Sequence, residues 1–205
     1  MPQNAPAFRA FAALVARVTA PLRPSEAAMA RIAGAADART LVKGDHLLHA
    51  GDVAGHLFFV HEGLLRYYYA DPGTGEEGTG QFFAEGGVIT DVASFLDGTP
   101  AVQSIQALEA GTVLRVPRAA LYAAYDADHA VERFGRLMIE RALVGSQRRS
   151  ASLLSMSPTE RYRAFVADRA ELARRVPQYL VASYLGITPE ALSRIRGRLA
   201  KPAAR

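Results

Sequence analysis

The chain of 205 residues contains no cysteine. This absence excludes disulfides, thiolate zinc sites, a cysteine nucleophile and cysteine-held iron–sulfur clusters. No apolar run is long enough to span a bilayer, and the N-terminus lacks the basic-then-apolar layout of a signal peptide. Walker-type phosphate loops, serine elbows and HExxH motifs are also missing, so no enzyme is indicated. We therefore expect a cytoplasmic, non-enzymatic protein that does not bind membranes.

Charge is distributed unevenly along the sequence. Residues 1–130 contain 9 Lys and Arg against 14 Asp and Glu, whereas residues 131–205 contain 15 against 6. A basic segment accumulates near phosphates whatever the base sequence, so the C-terminal part is a candidate for nucleic-acid binding. A solvated, arginine-rich helix surface is the alternative explanation.

Residues 178–199 have the pattern of two short helices joined at a glycine. Gly186 suits a helix C-terminus, and Thr188 followed by Pro189 is a helix start signal. Apolar residues recur three or four positions apart in each half, at Val181, Leu185, Leu192 and Ile195. The pattern predicts a helix-turn-helix, which places its second helix in a DNA groove. An ordinary pair of amphipathic helices would show a similar pattern.

The remaining sequence predicts an α+β fold. Residues 38–117 consist of short runs rich in Val, Ile, Phe, Tyr and Leu, separated by Gly, Asp and Pro, as in an all-β sandwich or barrel. Helical patterns flank this region. We predict three domains: N-terminal helices with a barrel over residues 1–125, a long helix over 126–155, and the helix-turn-helix over 156–205.

The long helix carries a stripe of apolar and small residues. Its members are Val131, Phe134, Met138, Ala142 and Gly145. A helix of this length overhangs a small barrel, and small residues allow a partner helix to approach closely. We therefore predict that the stripe is a dimer seam. The alternative is that it packs on its own barrel.

The order of helix, barrel, long helix and helix-turn-helix resembles the Crp/Fnr family of bacterial transcription regulators. The matching blocks are LVKGDHLLHAGD, HLFFVHEGLLRYYY, SFLDGTPAVQSIQALE and ERYRAFVADRAELARRVPQYLVASYLGITPEALSRIRGRL, and the last block is the most specific. The resemblance implies a homodimer in which a double-stranded β-helix (jelly roll) senses a small molecule. It also implies binding to a near-palindromic operator in double-stranded DNA, with RNA polymerase as a further candidate partner.

The resemblance assigns DNA contacts to residues around a recognition helix at 189–199. The base-reading residues would be Glu190, Ser193 and Arg194, with Arg194 donating two hydrogen bonds to a guanine. The phosphate contacts would be Gln178, Ser183, Thr188, Arg196 and Arg198. Two departures from the family pattern are evident. Pro189 replaces its first base-reading arginine, and six residues after Leu199 leave no room for a β-hairpin wing.

The expected effector pocket departs further from the family. In its cyclic-nucleotide-binding members, a Gly-Glu-Leu segment and an Arg-Ser pair hold the ribose and the cyclic phosphate. Here Thr90, Asp91 and Val92 stand at the first position, and Ala101 and Val102 stand at the second. Without the arginine, a buried phosphate charge would be poorly compensated. We therefore expect an uncharged or apolar effector, or none, rather than cyclic AMP, and no further cofactor.

Four histidines lie within one predicted hairpin: His46, His49, His56 and His61. Imidazoles on neighbouring strands can bind zinc, iron or nickel, and metal-binding cupins share this type of barrel. No His-x-His pair occurs, so we interpret these residues as polar strand and turn positions and predict no metal site. The alternative function is a ligand- or metal-binding cupin-like barrel whose helical tail serves only for association.

Overall fold

The computed structural model describes residues 5–200, which separate into two compact units. The first unit comprises residues up to 67 together with 82–142, and the second comprises 68–81 together with the residues from 143 onward. The helices are α1 (Pro6–Thr19), α2 (Glu26–Ala35), α3 (Val92–Asp97), α4 (Arg118–Ala127), α5 (His129–Ser155), α6 (Pro158–Asp168), α7 (Ala170–Arg175), α8 (Gln178–Leu185) and α9 (Pro189–Ala200).

Eight strands form two four-stranded sheets within the described residues. The strands are β1 (Asp37–Leu41), β2 (His46–Leu48), β3 (His56–Glu62), β4 (Leu65–Ala70), β5 (Glu77–Phe83), β6 (Val88–Ile89), β7 (Ser104–Ala107) and β8 (Gly111–Pro117). One sheet has the order β1-β8-β3-β6 and the other β2-β7-β4-β5. The predicted α+β class with a jelly-roll-like barrel is therefore confirmed.

Aromatic side chains lie at the centre of the core of the first unit. Phe11 on α1 contacts Phe59 on β3 edge-to-face at 5.7 Å, and it contacts Phe134 on α5 at 5.8 Å. Phe11 and Phe134 are almost fully buried, as is Ile32 on α2. The first turns of α5 thus belong to the same core as the barrel, because Phe134 packs on Phe11 and Phe11 packs on Phe59 of β3.

The second unit combines residues 68–81 of the β4–β5 hairpin with the helices of residues 143–200. Ser157 and Glu160 form a reciprocal capping box that begins α6. Arg169 separates α6 from α7, because its φ of −140° and ψ of 46° are not helical. The two units divide the chain differently from the three predicted domains, because residues 68–81 group with the C-terminal helices.

Candidate nucleic-acid interface

Helices α8 and α9 are joined by a short turn at Gly186. This glycine has a φ of 66° and a ψ of 41°, a left-handed conformation that residues with a Cβ rarely adopt. The Ile187 N–H donates to the Ala182 carbonyl at 3.1 Å, which closes the end of α8. The Thr188 hydroxyl then accepts a hydrogen bond from the Ala191 N–H at 3.2 Å and caps α9. The sequence signals at this turn therefore act as their local chemistry predicts.

One side of α9 packs inward. Leu192 and Ile195 are only 1% and 7% exposed, and they face the buried side of α8. The buried residues of α8 are Leu180, Val181, Ala182 and Leu185. Burial of both apolar faces fixes the rotation of α9 about its own axis, so its polar residues must face outward.

The outward face of α9 brings the predicted base-reading residues together. Glu190, Ser193 and Arg194 are all exposed, and their spacing of three and four positions places them on one stripe. The hydrogen bond from its own backbone N–H, and then that from the Thr188 side chain, lowers the pKa of Glu190, and the charge of Arg194 adds to this effect. The stripe therefore presents a carboxylate and a guanidinium one helical turn apart.

The predicted phosphate contacts divide into two groups. Gln178, Thr188, Arg196 and Arg198 are exposed and remain accessible. The Ser183 side chain is half-buried, and its hydroxyl is not accessible to DNA. This hydroxyl accepts a hydrogen bond from the Thr79 N–H at 2.9 Å and donates one to the Glu77 carbonyl at 3.2 Å. The prediction that Ser183 contacts a DNA phosphate is therefore wrong, since its only donor is already used by strand β5.

Contacts around Tyr184 connect the hairpin with the C-terminal helices. The Arg149 guanidinium lies 3.9 Å from the centre of the Tyr184 ring and donates to the Tyr184 carbonyl. On the same unit, Arg169 donates to the Gln81 side chain at 2.6 Å. Sequence reasoning missed these contacts, because nothing in the local pattern relates residues 68–81 to residues 149–184.

Tyr179 on α8 was also missed as a candidate for the DNA-facing surface, although it is 61% exposed beside Gln178.

The predicted effector pocket does not form as one site. The Asp91 carboxylate is buried and accepts hydrogen bonds from the Ser94 N–H at 3.0 Å and the Val102 N–H at 3.3 Å, so it caps α3 internally. The Val102 side chain is 67% exposed and Ala101 is buried. Of the five predicted residues, Thr90 and Val92 line the cavity between α3, α4 and α5, and Asp91, Ala101 and Val102 do not. The grouping of Asp91, Ala101 and Val102 in a ligand pocket is therefore corrected.

That cavity lies in the first unit, between α3, α4 and α5. Its volume is about 210 Å³, and its wall is mainly apolar and aromatic. The aromatic members of the wall are Phe95, Tyr122, Tyr125 and Phe134. Burial raises the pKa of the Tyr125 hydroxyl, so this group stays protonated and can donate a hydrogen bond at neutral pH.

The predicted seam on α5 is wrong at its N-terminal end. Val131 and Phe134 are 0% and 1% exposed because they pack into the core of their own unit, and Met138 packs partly against that core. Ala142 and Gly145 are exposed, and their place in a dimer seam stays a prediction. Further along the helix, exposed apolar residues occur at Ile139, Leu143, Val144, Leu153 and Leu154.

The four histidines of the predicted hairpin do not meet as one cluster in the structure. His46 and His49 stack at 4.4 Å, and His56 stacks on Phe58 at 6.1 Å. His61 lies 3.8 Å from the Glu62 carboxylate. Across residues 5–200, no three His, Cys, Asp or Glu side chains come together in a way that could hold a metal ion. Among the helices described, none has the length and apolar character needed to cross a membrane.

Comparison with known proteins agrees with this architecture. Residues 38–128 match the family model of the cyclic nucleotide-binding domain. The structure is similar to FixK2 from Bradyrhizobium japonicum (20% identity, 83% of this chain and 89% of that chain covered, TM-score 0.71). It is also similar to CLP from Xanthomonas campestris, a global regulator described as responsive to c-di-GMP (16% identity, 85% and 91% covered, TM-score 0.69). No curated protein matches the chain.

A third similar structure comes from Eubacterium rectale and is assigned to the Crp/Fnr family of transcriptional regulators (16% identity, 85% of this chain and 83% of that chain covered, TM-score 0.69). At these identities the similarity establishes the fold. The chain thus contains a barrel of the cyclic nucleotide-binding type and has the fold of Crp/Fnr-type regulators.

Proposed function

We propose that this protein is a dimeric, sequence-specific DNA-binding transcription regulator of the Crp/Fnr type. The observation that carries the proposal is the outward stripe of α9. Leu192 and Ile195 hold the opposite side of this helix in the unit's interior, so Glu190 and Arg194 face away from the protein. A guanidinium held this way can donate two hydrogen bonds to the O6 and N7 atoms of guanine in the major groove.

Glu190 has a second role in the proposed readout. Its carboxylate can accept a hydrogen bond from a cytosine amino group or orient Arg194, and the lowered pKa further favours this ionised form. Ser193 lies between them on the stripe and contacts a neighbouring base edge. Gln178, Thr188, Arg196 and Arg198 contact phosphates, which set the position of the helix without reading sequence.

We place the dimer seam on the exposed part of α5. Ile139, Leu143, Ser146, Ser150 and Leu153 are spaced alternately by four and three residues, and all of them are exposed. This is the a/d repeat of a two-stranded coiled coil, and its serines allow close approach of a second helix. The seam therefore begins where the core packing of Val131 and Phe134 ends, and a two-fold dimer would present two α9 helices to two half-sites.

The expectation that the effector is not cyclic AMP is supported by Asp91. Its carboxylate accepts from the N–H groups of Ser94 and Val102, which a bound anion would otherwise need. A second negative charge beside this buried carboxylate would be repelled. Regulation by the first unit, if an effector binds there, would act through a shift between two arrangements of the paired α5 helices.

The test is selection of bound sequences from a pool of random DNA duplexes, with the full chain at moderate salt and without effector. The proposal predicts an enriched near-palindrome whose half-sites lie about 10 base pairs apart, or a multiple of that distance. Arg194→Ala should lose the enrichment, whereas Arg39→Ala, which removes the same charge from strand β1, should keep it. Enrichment that Arg194→Ala does not affect, or salt-sensitive binding to all sequences alike, would contradict the proposal.

A further inference from the structure

The geometry points to a ligand site in the cavity between α3, α4 and α5, one that takes a small uncharged aromatic molecule of the size of a monosubstituted phenol. This site shares Thr90 and Val92 with the predicted effector pocket, whereas Asp91, Ala101 and Val102 do not line it. The binding itself does not depend on the proposed function, whereas a role for the bound molecule as an effector would rest on it.

The size of the cavity sets the size of the ligand. Its volume is about 210 Å³. An apolar protein cavity of about 150 Å³ stays dry and accepts benzene, so the larger volume here accommodates a single aromatic ring with one or two substituents. A nucleotide or a fused polycyclic cofactor would not fit within it.

The wall of the cavity favours an aromatic ring. Tyr122 lies between two other aromatic side chains, with ring centres 6.3 Å from Phe95 and 5.7 Å from Tyr125, both tilted. Phe134 closes the wall from α5. The Arg118 guanidinium lies over one face of the Tyr122 ring, 5.3 Å from its centre. The tilted rings still present edges to a further aromatic ring, which gains more from them than an aliphatic molecule of equal area.

The charges of the cavity favour a neutral ligand. Two ionic groups line it, Glu132 and Arg136, and they have opposite sign. Arg136 already pairs with Glu140 on α5, and the Glu132 carboxylate lies 3.3 Å from the His129 imidazole, which is charged only when protonated. An anionic ligand would therefore lose its hydration and would have to compete with Glu140 for Arg136.

A hydroxyl group gives the site its polar anchor. The Tyr125 side chain packs against α5 at Gly135. A Cβ at this position would overlap the tyrosine hydroxyl. The Tyr125 hydroxyl thus lies at a wall of the cavity that only glycine permits, and it can exchange one hydrogen bond with a phenolic or alcoholic ligand. This pairing explains why a phenol fits the site better than an unsubstituted ring.

The test uses 4-fluorophenol and the full chain, followed by fluorine NMR, with isothermal titration calorimetry as the quantitative measurement. We expect saturable binding of one molecule per chain with a dissociation constant of about 0.1–1 mM, an ordinary affinity for a ligand of this size. Benzoate and 4-fluorobenzoate carry the same ring with a charge, and cyclohexanol keeps the hydroxyl without the aromatic ring. All three should bind at least about tenfold more weakly.

Three variants distinguish binding in this cavity from non-specific binding elsewhere on the protein. Val92→Phe fills the cavity and should abolish binding, whereas Val102→Phe adds the same ring at a position that is 67% exposed and outside the cavity, and should leave binding unchanged. Tyr125→Phe keeps the ring and should weaken 4-fluorophenol by about three- to tenfold, the worth of one hydrogen bond. This third variant provides the test if Val92→Phe does not fold.

Several results would overturn the inference. They are the absence of saturable binding to the wild-type chain, equal binding to Val92→Phe, and binding of cyclohexanol or benzoate as tight as that of the phenol. A second copy of the chain covering the cavity would appear as a dimer that binds no phenol, and this outcome also overturns it. Because these measurements contain no DNA, their failure is distinguishable from failure of the proposed DNA binding, which the duplex selection tests separately.

Discussion

Replacing Ser183 by alanine removes the hydroxyl through which α8 holds strand β5. This hydroxyl accepts from the Thr79 N–H at 2.9 Å and donates to the Glu77 carbonyl at 3.2 Å. Thr79 is only 3% exposed, whereas Glu77 is an exposed residue at the start of β5. The two lost hydrogen bonds therefore differ in their cost.

The cost comes mainly from the Thr79 N–H. A buried donor left without its acceptor costs about 1–3 kcal/mol, whereas water can replace the partner of the exposed Glu77 carbonyl. Because alanine is a better helix former than serine, the substitution stabilises α8 by about 0.5 kcal/mol. We expect a net loss of about 1.5 kcal/mol in the stability of the hairpin contact, which corresponds to roughly tenfold more frequent opening.

The assay is amide hydrogen exchange at Thr79, which reports the opening of this contact directly. Exchange at Thr79 should become roughly tenfold faster in Ser183→Ala, given the free-energy loss above. Ser193→Ala, the same change at an exposed position of α9, should leave it unchanged. Equal exchange at Thr79 in the wild type and in Ser183→Ala would refute the reasoning.

Three further predictions follow from other groups. The Thr79 hydroxyl is buried without a hydrogen-bond partner among the described residues, so Thr79→Val should raise the free energy of unfolding by about 1 kcal/mol in denaturant titrations, and a decrease would contradict this. Leu143→Asp should convert a dimer to monomers in analytical ultracentrifugation, whereas Val42→Asp, equally exposed on the first unit, should not. Burial, and after it the charge of Arg115, lowers the pKa of His56, so the unfolded chain binds this proton more tightly. Stability should therefore fall as the pH drops below about 6.5, and this fall should be smaller in His56→Gln, as thermal melting at several pH values would show.

Local signals in the sequence were sufficient where short-range chemistry determines the structure. Gly186, Thr188 and Pro189 act at the turn between α8 and α9 through backbone conformation and capping, which involve only neighbouring residues. The barrel was equally predictable, because its short strands alternate with turn residues and its apolar content requires two packed sheets. These features depend little on which distant segment becomes the neighbour.

The apolar stripe of α5 shows where such reasoning fails. Periodicity identifies one face of a helix, but it does not say what covers that face. Val131 and Phe134 are covered by their own barrel, and the exposed repeat that starts at Ile139 is rotated away from them. The predicted stripe therefore combined core positions with exposed ones.

The contact of Ser183 and the effector pocket failed for a related reason. A serine hydroxyl can serve a DNA phosphate or a neighbouring strand, and the choice depends on residues 77–79, about a hundred positions away. Likewise, the Asp91 carboxylate caps α3 instead of facing a ligand, because the N–H groups of Ser94 and Val102 lie within its reach. Alignment with a family places such residues in sequence but does not fix their hydrogen-bond partners.

The measurement that tests the central claim most directly is the ratio of affinities for the selected duplex and for a scrambled duplex of equal length, at one salt concentration. The account predicts a ratio of about 10³ or more for the wild-type chain. Two half-sites that each lose a bidentate guanine contact of about 1–3 kcal/mol should reduce this ratio by at least tenfold in Arg194→Ala. Arg198→Ala should instead lower both affinities together and leave the ratio unchanged. A wild-type ratio near one, or an unchanged ratio in Arg194→Ala, would contradict the claim that α9 reads DNA sequence.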